Sequence, residues 1–190
     1  MSWLNDIDQI LLPPAKWEEI IAHCKRKLAG DFLPGESRVK RAYGILAGVQ
    51  KGRVLHVQLV LPVKKNARNN EPLKTYMDTV MTEHAVPSTT PLGQRGWITD
   101  PEELMGCYDL CDRENLQIFG TYHMHIVPWD GDPIRDTPTL LDTVLARESN
   151  LFSFIISMVD IENPSMKAFF EGVINREIPI IIEKHPAQDS

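Results

Sequence analysis

Apolar residues recur at three- and four-residue spacing in one part of the chain and run almost unbroken in others. Trp17, Ile20, Ile21, Cys24 and Leu28 make one stripe, which predicts a helix over 16–28. Residues 3–12 before it are a short apolar lead-in closed by Pro13-Pro14, and Gly30 stands where a helix stop belongs. A loop at 32–36, with Pro34-Gly35 as its turn, leads to two strands over 39–49 and 53–63, joined by a hairpin turn at Gln50-Lys51-Gly52. Val54, Val57, Leu59, Val60 and Leu61 make the second strand central. Gly44 and Gly48 in the first suggest close backbone approach or a bulge.

The next stretch, about 64–98, is a long polar segment with a short helix over 73–83; it reads as an insertion over one face of the domain. Asp100-Pro101-Glu102-Glu103 then starts a helix running to Asn115, with Asp100 as N-cap, Pro101 at N1 and Glu103 at N3 in a capping-box variant. A strand over 116–125 follows, then a Pro-, Gly- and Asp-rich loop over 126–136. The next helix has Thr137 as N-cap and Pro138 at N1, and runs to Arg147. An apolar strand occupies 152–159, and 166–174 pairs with 178–183 across Asn175-Arg176, leaving a frayed tail at 184–190. This order predicts one α/β domain over 1–190, a mixed β-sheet with helices on both faces.

The chain is 43% hydrophobic and 24% charged, enough apolar residue for one sizeable core. A net charge of −6 argues against broad electrostatic binding of nucleic acid. No apolar run reaches membrane-spanning length, and residues 1–6 lack the basic flank and apolar core of a signal peptide, so a cytoplasmic protein is expected. Cys24, Cys107 and Cys111 read as packed free thiols.

The candidate chemistry lies at the end of the strand over 116–125. His123 and His125 are two apart, so in a strand both imidazoles point to one face and converge as a metal site requires. Asp130, Asp132, Asp136 and Asp142 downstream offer a third ligand; two His and one carboxylate around an open position describe a catalytic zinc site. Trp129 and Asp130 in the loop are candidates for touching substrate. Neither His-x-Glu nor Pro-Cys-x-x-Cys occurs, which disfavours a zinc nucleobase deaminase.

Element order and motif together resemble the JAMM (JAB/MPN) metalloprotease family, in its bacterial and archaeal type. The likeness rests on His123-x-His125 after Gly120-Thr121-Tyr122, on Gly44-Ile45-Leu46-Ala47-Gly48 in an earlier strand, on Asp100-Pro101 before the His strand and on the paired strands at the end. It implies the JAMM/MPN, cytidine-deaminase-like architecture, with Zn²⁺ held by His123, His125 and an aspartate. Strict family spacing lands on Asp136 but puts Pro133 at the family's Ser. A loop six residues longer places Thr139-Leu140-Leu141-Asp142 on the pattern and is preferred, with Thr139 standing where the family's Ser stabilises the oxyanion. The family's general-base Glu falls here on Arg41. Glu36 lies five residues earlier, about 16 Å along an extended chain, and reaches the site only if its loop folds back; Glu71 and Glu83 of the insertion are further candidates. The implied activity is hydrolysis of an amide or isopeptide bond at the C-terminus of a ubiquitin-like or sulfur-carrier-like protein. The alternative is a binding or scaffold module that keeps the metal and lacks the base.

Overall fold

The computed structural model describes residues 3–126 and 136–182. The loop candidates Trp129, Asp130 and Asp132, and the tail after Ile182, lie outside the described residues. Among the described residues, the strands are β1 (Gln9–Leu12), β2 (Tyr43–Lys51), β3 (Val54–Pro62), β4 (Gln117–His125), β5 (Phe152–Ser157), β6 (Ser165–Phe170), β7 (Glu177–Ile178) and β8 (Ile180–Ile182). The helices are α1 (Pro14–Ala29), α2 (Leu73–His84), α3 (Pro101–Arg113) and α4 (Leu140–Ala146). None is long and apolar enough to cross a membrane.

All eight strands join one mixed sheet in the order β7-β6-β5-β4-β2-β3-β1-β8. The lead-in before Pro13 is a strand, β1, because it lies parallel to both β3 and β8 and buries Ile10 and Leu12 between them. The expected arm over 178–183 is broken at Pro179. Glu177 and Ile178 pair with β6, whereas Ile180–Ile182 pair with β1. One segment therefore holds both ends of the sheet and curls it almost into a barrel.

The α1 stripe forms as predicted, with Ile20, Ile21 and Cys24 buried and Trp17 and Leu28 packed against the same cluster. Gly30 ends the helix at φ 79°, its N–H capping the last turn. On the sheet side, the cluster takes Leu46, Leu55, Phe119, Tyr122, Met124, Phe152 and Phe154. Phe119 and Tyr122 are three apart and still share this face. The β2–β4 register slips between Leu46↔Gly120 and Ala47↔Ile118, so Phe119 is the extra residue of a β-bulge. Beyond the bulge Tyr122 and Met124 face the core, and His123 and His125 face the other way. Gly44 lies opposite Tyr122, and a Cβ there would collide with the phenol ring.

The segment expected as an insertion is rooted at its ends: Ala67 N–H donates to Ile98 C=O at 2.8 Å, and Asp100 N–H to Lys65 C=O at 3.2 Å. Inside it Arg68, only 1% exposed, ties three pieces together through Asp78, Arg95 C=O and Leu92 C=O. Asp100 caps α3 as expected, accepting from Glu103 N–H. Glu103 does not complete a capping box; its carboxylate accepts from Lys64 N–H and Lys65 N–H at 2.8 and 2.7 Å and clamps the start of the insertion. The N-cap of α4 is Thr139, not Thr137, so Pro138 precedes the helix and is not its first residue.

Candidate metal centre

His123 and His125 sit at the C-terminal end of β4, on the face turned from the core. Their Nε2 atoms are 3.1 Å apart. Asp142, at N3 of α4, brings Oδ1 to 3.5 Å from His123 Nε2 and Oδ2 to 4.0 Å from His125 Nε2. Zinc binds nitrogen and carboxylate oxygen at about 2.0–2.2 Å, and tetrahedral ligands at that length stand roughly 3.4 Å apart. The three groups are therefore already near ligand spacing. Among the described residues they are the one His/Cys/Asp/Glu group with ligand atoms all within 4.8 Å. Asp136 is not part of it.

The local sequence explains how Asp142 is held. Thr139 and Asp142 form a capping box. Thr139 N–H and Oγ1–H both donate to Asp142 Oδ2, at 2.8 and 2.7 Å, and Asp142 N–H donates back to Thr139 Oγ1 at 3.3 Å. Oδ2 is thus fixed and Oδ1 faces His123, as an outer hydrogen bond orients a metal-ligating carboxylate. The hydroxyl proton of Thr139 is committed to this bond, so in this geometry the hydroxyl aims the Asp142 carboxylate.

Burial pulls the His123 pKa down to about 4; Asp142 opposes the shift, and His125 and Arg41 deepen it. At neutral pH the imidazole is uncharged, as a ligand must be. The side chains of His123, His125 and Asp142 keep 15–19% of their surface accessible, enough to open onto a cavity of about 910 Å³. Two imidazoles and a carboxylate with open positions suit zinc, and also ferrous iron.

Three further residues frame the site. Tyr43 is the cross-strand partner of His123 in the β2–β4 register. Its ring lies 6.3 Å from His123, at 21°, and stacks on Trp97 at 4.4 Å and 17°. Trp97 comes from the insertion, and so do Met81, Val86 and Arg95 of the cavity wall. Arg41, at the entry to β2, lines the cavity beside them. Sequence reading placed Arg41 at the family's base position but found neither Tyr43 nor Trp97, since only the register of β2 on β4 brings them to His123.

The candidate bases lie elsewhere. Glu36 does fold inward, but on the core side of β4. It accepts from Arg26 Nη1 and Nη2 at 2.6 and 2.9 Å and from Leu33 N–H at 2.8 Å, and lies 3.4 Å from Lys27 Nζ. It also lies 3.9 Å from His23 Nε2, and His23 Nδ1 bonds the Tyr122 hydroxyl at 2.8 Å. Tyr122 faces away from His123, so Glu36 cannot reach the metal centre. Glu71 bonds Thr75, Glu83 neighbours His84, and neither lines the cavity.

No protein-family model and no curated protein matches the chain. The chain resembles the solution structure of protein DSY2949 from Desulfitobacterium hafniense, with a TM-score of 0.60 and 21% identity over 95% of this chain and 97% of that one. A likeness at that identity concerns the fold alone.

Proposed function

We propose that the chain is a zinc-dependent metallopeptidase or isopeptidase of the JAMM type, acting in the cytoplasm on an amide bond at the C-terminus of a ubiquitin-like or sulfur-carrier-like protein. The observation that carries this reading is the convergence of His123, His125 and Asp142 at ligand spacing on a cavity of about 910 Å³. These three residues would hold the ion, which when bound polarises a scissile carbonyl and lowers the pKa of a water towards about 7. Thr139 keeps the carboxylate aimed, so the ligand set is formed before any ion arrives. Tyr43 and Trp97 wall one side of His123 and narrow the approach to it. A cavity of this volume accepts an extended peptide tail, not a folded domain.

One observation favours a second reading, a module that binds metal and peptide without cleaving. Among the described residues lining the cavity, Asp142 is the only carboxylate, and it is a ligand; Arg41 stands where the family has its base. Elemental analysis of the wild type beside His123→Ala/His125→Ala tests both readings, followed by mass spectrometry of a ubiquitin-like protein with a C-terminal peptide extension after incubation with the zinc-loaded chain. About one zinc per chain, absent from the double variant, with release of the extension, supports the peptidase. The same zinc without release supports the binding module. No zinc after incubation at neutral pH sinks both, and iron in its place removes the zinc assignment.

A further inference from the structure

The chain carries a net charge of −6, yet the described residues that line its cavity carry a net positive charge. Among the described lining residues the charged groups are the guanidiniums of Arg41 and Arg95 and the carboxylate of Asp142, which already faces the imidazoles. Other arginines drawn in from the surface have counter-ions: Arg26 holds Glu36 through two nitrogens, and Arg68 holds Asp78 at 2.5 Å. Arg95 donates to Val86 C=O at 2.7 Å and so braces the insertion wall. Arg41 is half-buried beside the Tyr43 phenol and is ion-paired with no carboxylate among the described residues.

We propose that Arg41 is a carboxylate-binding residue of this cavity: a ligand lays an apolar body along the Tyr43–Trp97 wall and presents a free carboxylate to the Arg41 guanidinium, next to His123, His125 and Asp142. Desolvating a guanidinium costs free energy that an arriving anion returns, and its planar fork matches a carboxylate through two parallel N–H···O bonds. Met81, Val86, Leu141 and Leu145 extend the apolar surface beyond that wall, with the hydroxyls of Ser88, Thr121 and Ser153 between them, so the favoured anion carries a largely apolar body and is not a small hydrated ion. The ligand class is an acyl amino acid or a peptide ending in a free carboxylate. The inference deepens the function proposed above by naming the anchor of its substrate; the binding itself requires no cleavage.

Isothermal titration of the full chain, metal-free and zinc-loaded, tests this with N-acetyl-leucine, N-acetyl-leucinamide and inorganic phosphate. The acid is expected to bind about tenfold or more tighter than the amide in both metal states. Arg41→Met should bring acid and amide to about equal affinity, and Arg41→Lys should keep only part of the preference, with zinc content and unfolding midpoint unchanged in both. Equal affinities in the wild type, or a full preference retained in Arg41→Met, overturn the proposal. A preference seen only with zinc assigns the carboxylate to the ion and overturns it too. Phosphate that binds as well as the acid overturns the carboxylate class. Should Arg41→Met not fold, Arg41→Lys decides, because an undiminished preference there excludes the fork. A chain that takes up no metal yet keeps the acid preference loses the function proposed above and retains this site.

Discussion

Two polar clusters lie back to back on β4, reached from adjacent residues. Behind Tyr122, a histidine and a carboxylate, His23 and Glu36, share their space with Arg26 and Lys27. In front, His123, His125 and Asp142 meet with no cation of the described residues paired to the carboxylate. The residue types are nearly the same, and the neutralising partner differs. Glu36 is fully matched by guanidinium, ammonium and backbone N–H, which makes it structural. Asp142 has Oδ2 held by its own N-cap and Oδ1 turned towards the uncharged His123 imidazole, so no arginine or lysine of the described residues balances it. A buried carboxylate is therefore read by what already balances it, not by the histidines around it.

The largest break in this comparison comes from exchanging the two carboxylates for alanine. Glu36→Ala strands Lys27 and Arg26 without their anion and is expected to cost about 3–5 kcal/mol in urea unfolding, with zinc retained by the folded fraction. Asp142→Ala is expected to do the reverse, losing zinc on dialysis while the metal-free chain gives up only about 1 kcal/mol with its cap. If Glu36→Ala instead abolished zinc binding in the folded protein, the separation of the clusters would be wrong.

Acid sharpens the contrast next. Burial, helped by Arg26, pulls His23 down to about 4 against an ordinary 6.5. Between those values the unfolded chain binds the proton and the native one does not, so metal-free stability is fully present above pH 6.5 and falls as pH drops towards 4. Burial raises the Glu36 pKa, but Arg26, the Leu33 N–H and Lys27 outweigh it and hold it at about 2 against 4.5; a further loss follows between those values. Unfolding free energies that stayed level from pH 6.5 to 4 would contradict the first part.

Thr139→Ala should cost about 1 kcal/mol through the lost cap and weaken zinc binding roughly 10–100-fold by freeing Asp142, with Thr139→Ser restoring both. The smallest effect belongs to Tyr122→Phe. It removes the hydroxyl bonded to His23 for about 1 kcal/mol and should leave zinc affinity untouched, although Tyr122 neighbours His123 in sequence. Calorimetry of metal binding by each variant gives the answer.

Much of this arrangement was legible in the chain. Period-two alternation from Gly120 to His125 put both histidines on one face, and the resemblance to the family's Ser-x-x-Asp pattern favoured Asp142, which lies with them, over Asp136, which does not. The bulge at Phe119 was not legible, because strict alternation groups Phe119 with His123 and only pairing with β2 regroups it with Tyr122. Nor was the destination of Glu36. Its loop does fold back, as reaching the site required, but Arg26 and Lys27 on α1 capture it first, and no spacing rule encodes that competition. The start of α4 was read two residues early, since Thr137-Pro138 and Thr139 both satisfy a cap pattern and only the Asp142 side chain chooses between them. Four residues before Pro13 were too few to announce a strand whose partners lie far along the chain.

That last strand bears on the order of folding. Ile10 pairs with Ile180, so the sheet cannot close until nearly all of the chain has been gathered in, and contacts of such sequence separation are slow to form. Until then the outer edge of β1 and the edge of β6 both stand open with apolar residues, Ile10 and Phe170, behind them. The segment around Pro179 acts as a late clasp for two edges at once, and a chain ended before Glu177 is expected to stick to its own copies during refolding where the longer chain stays monodisperse.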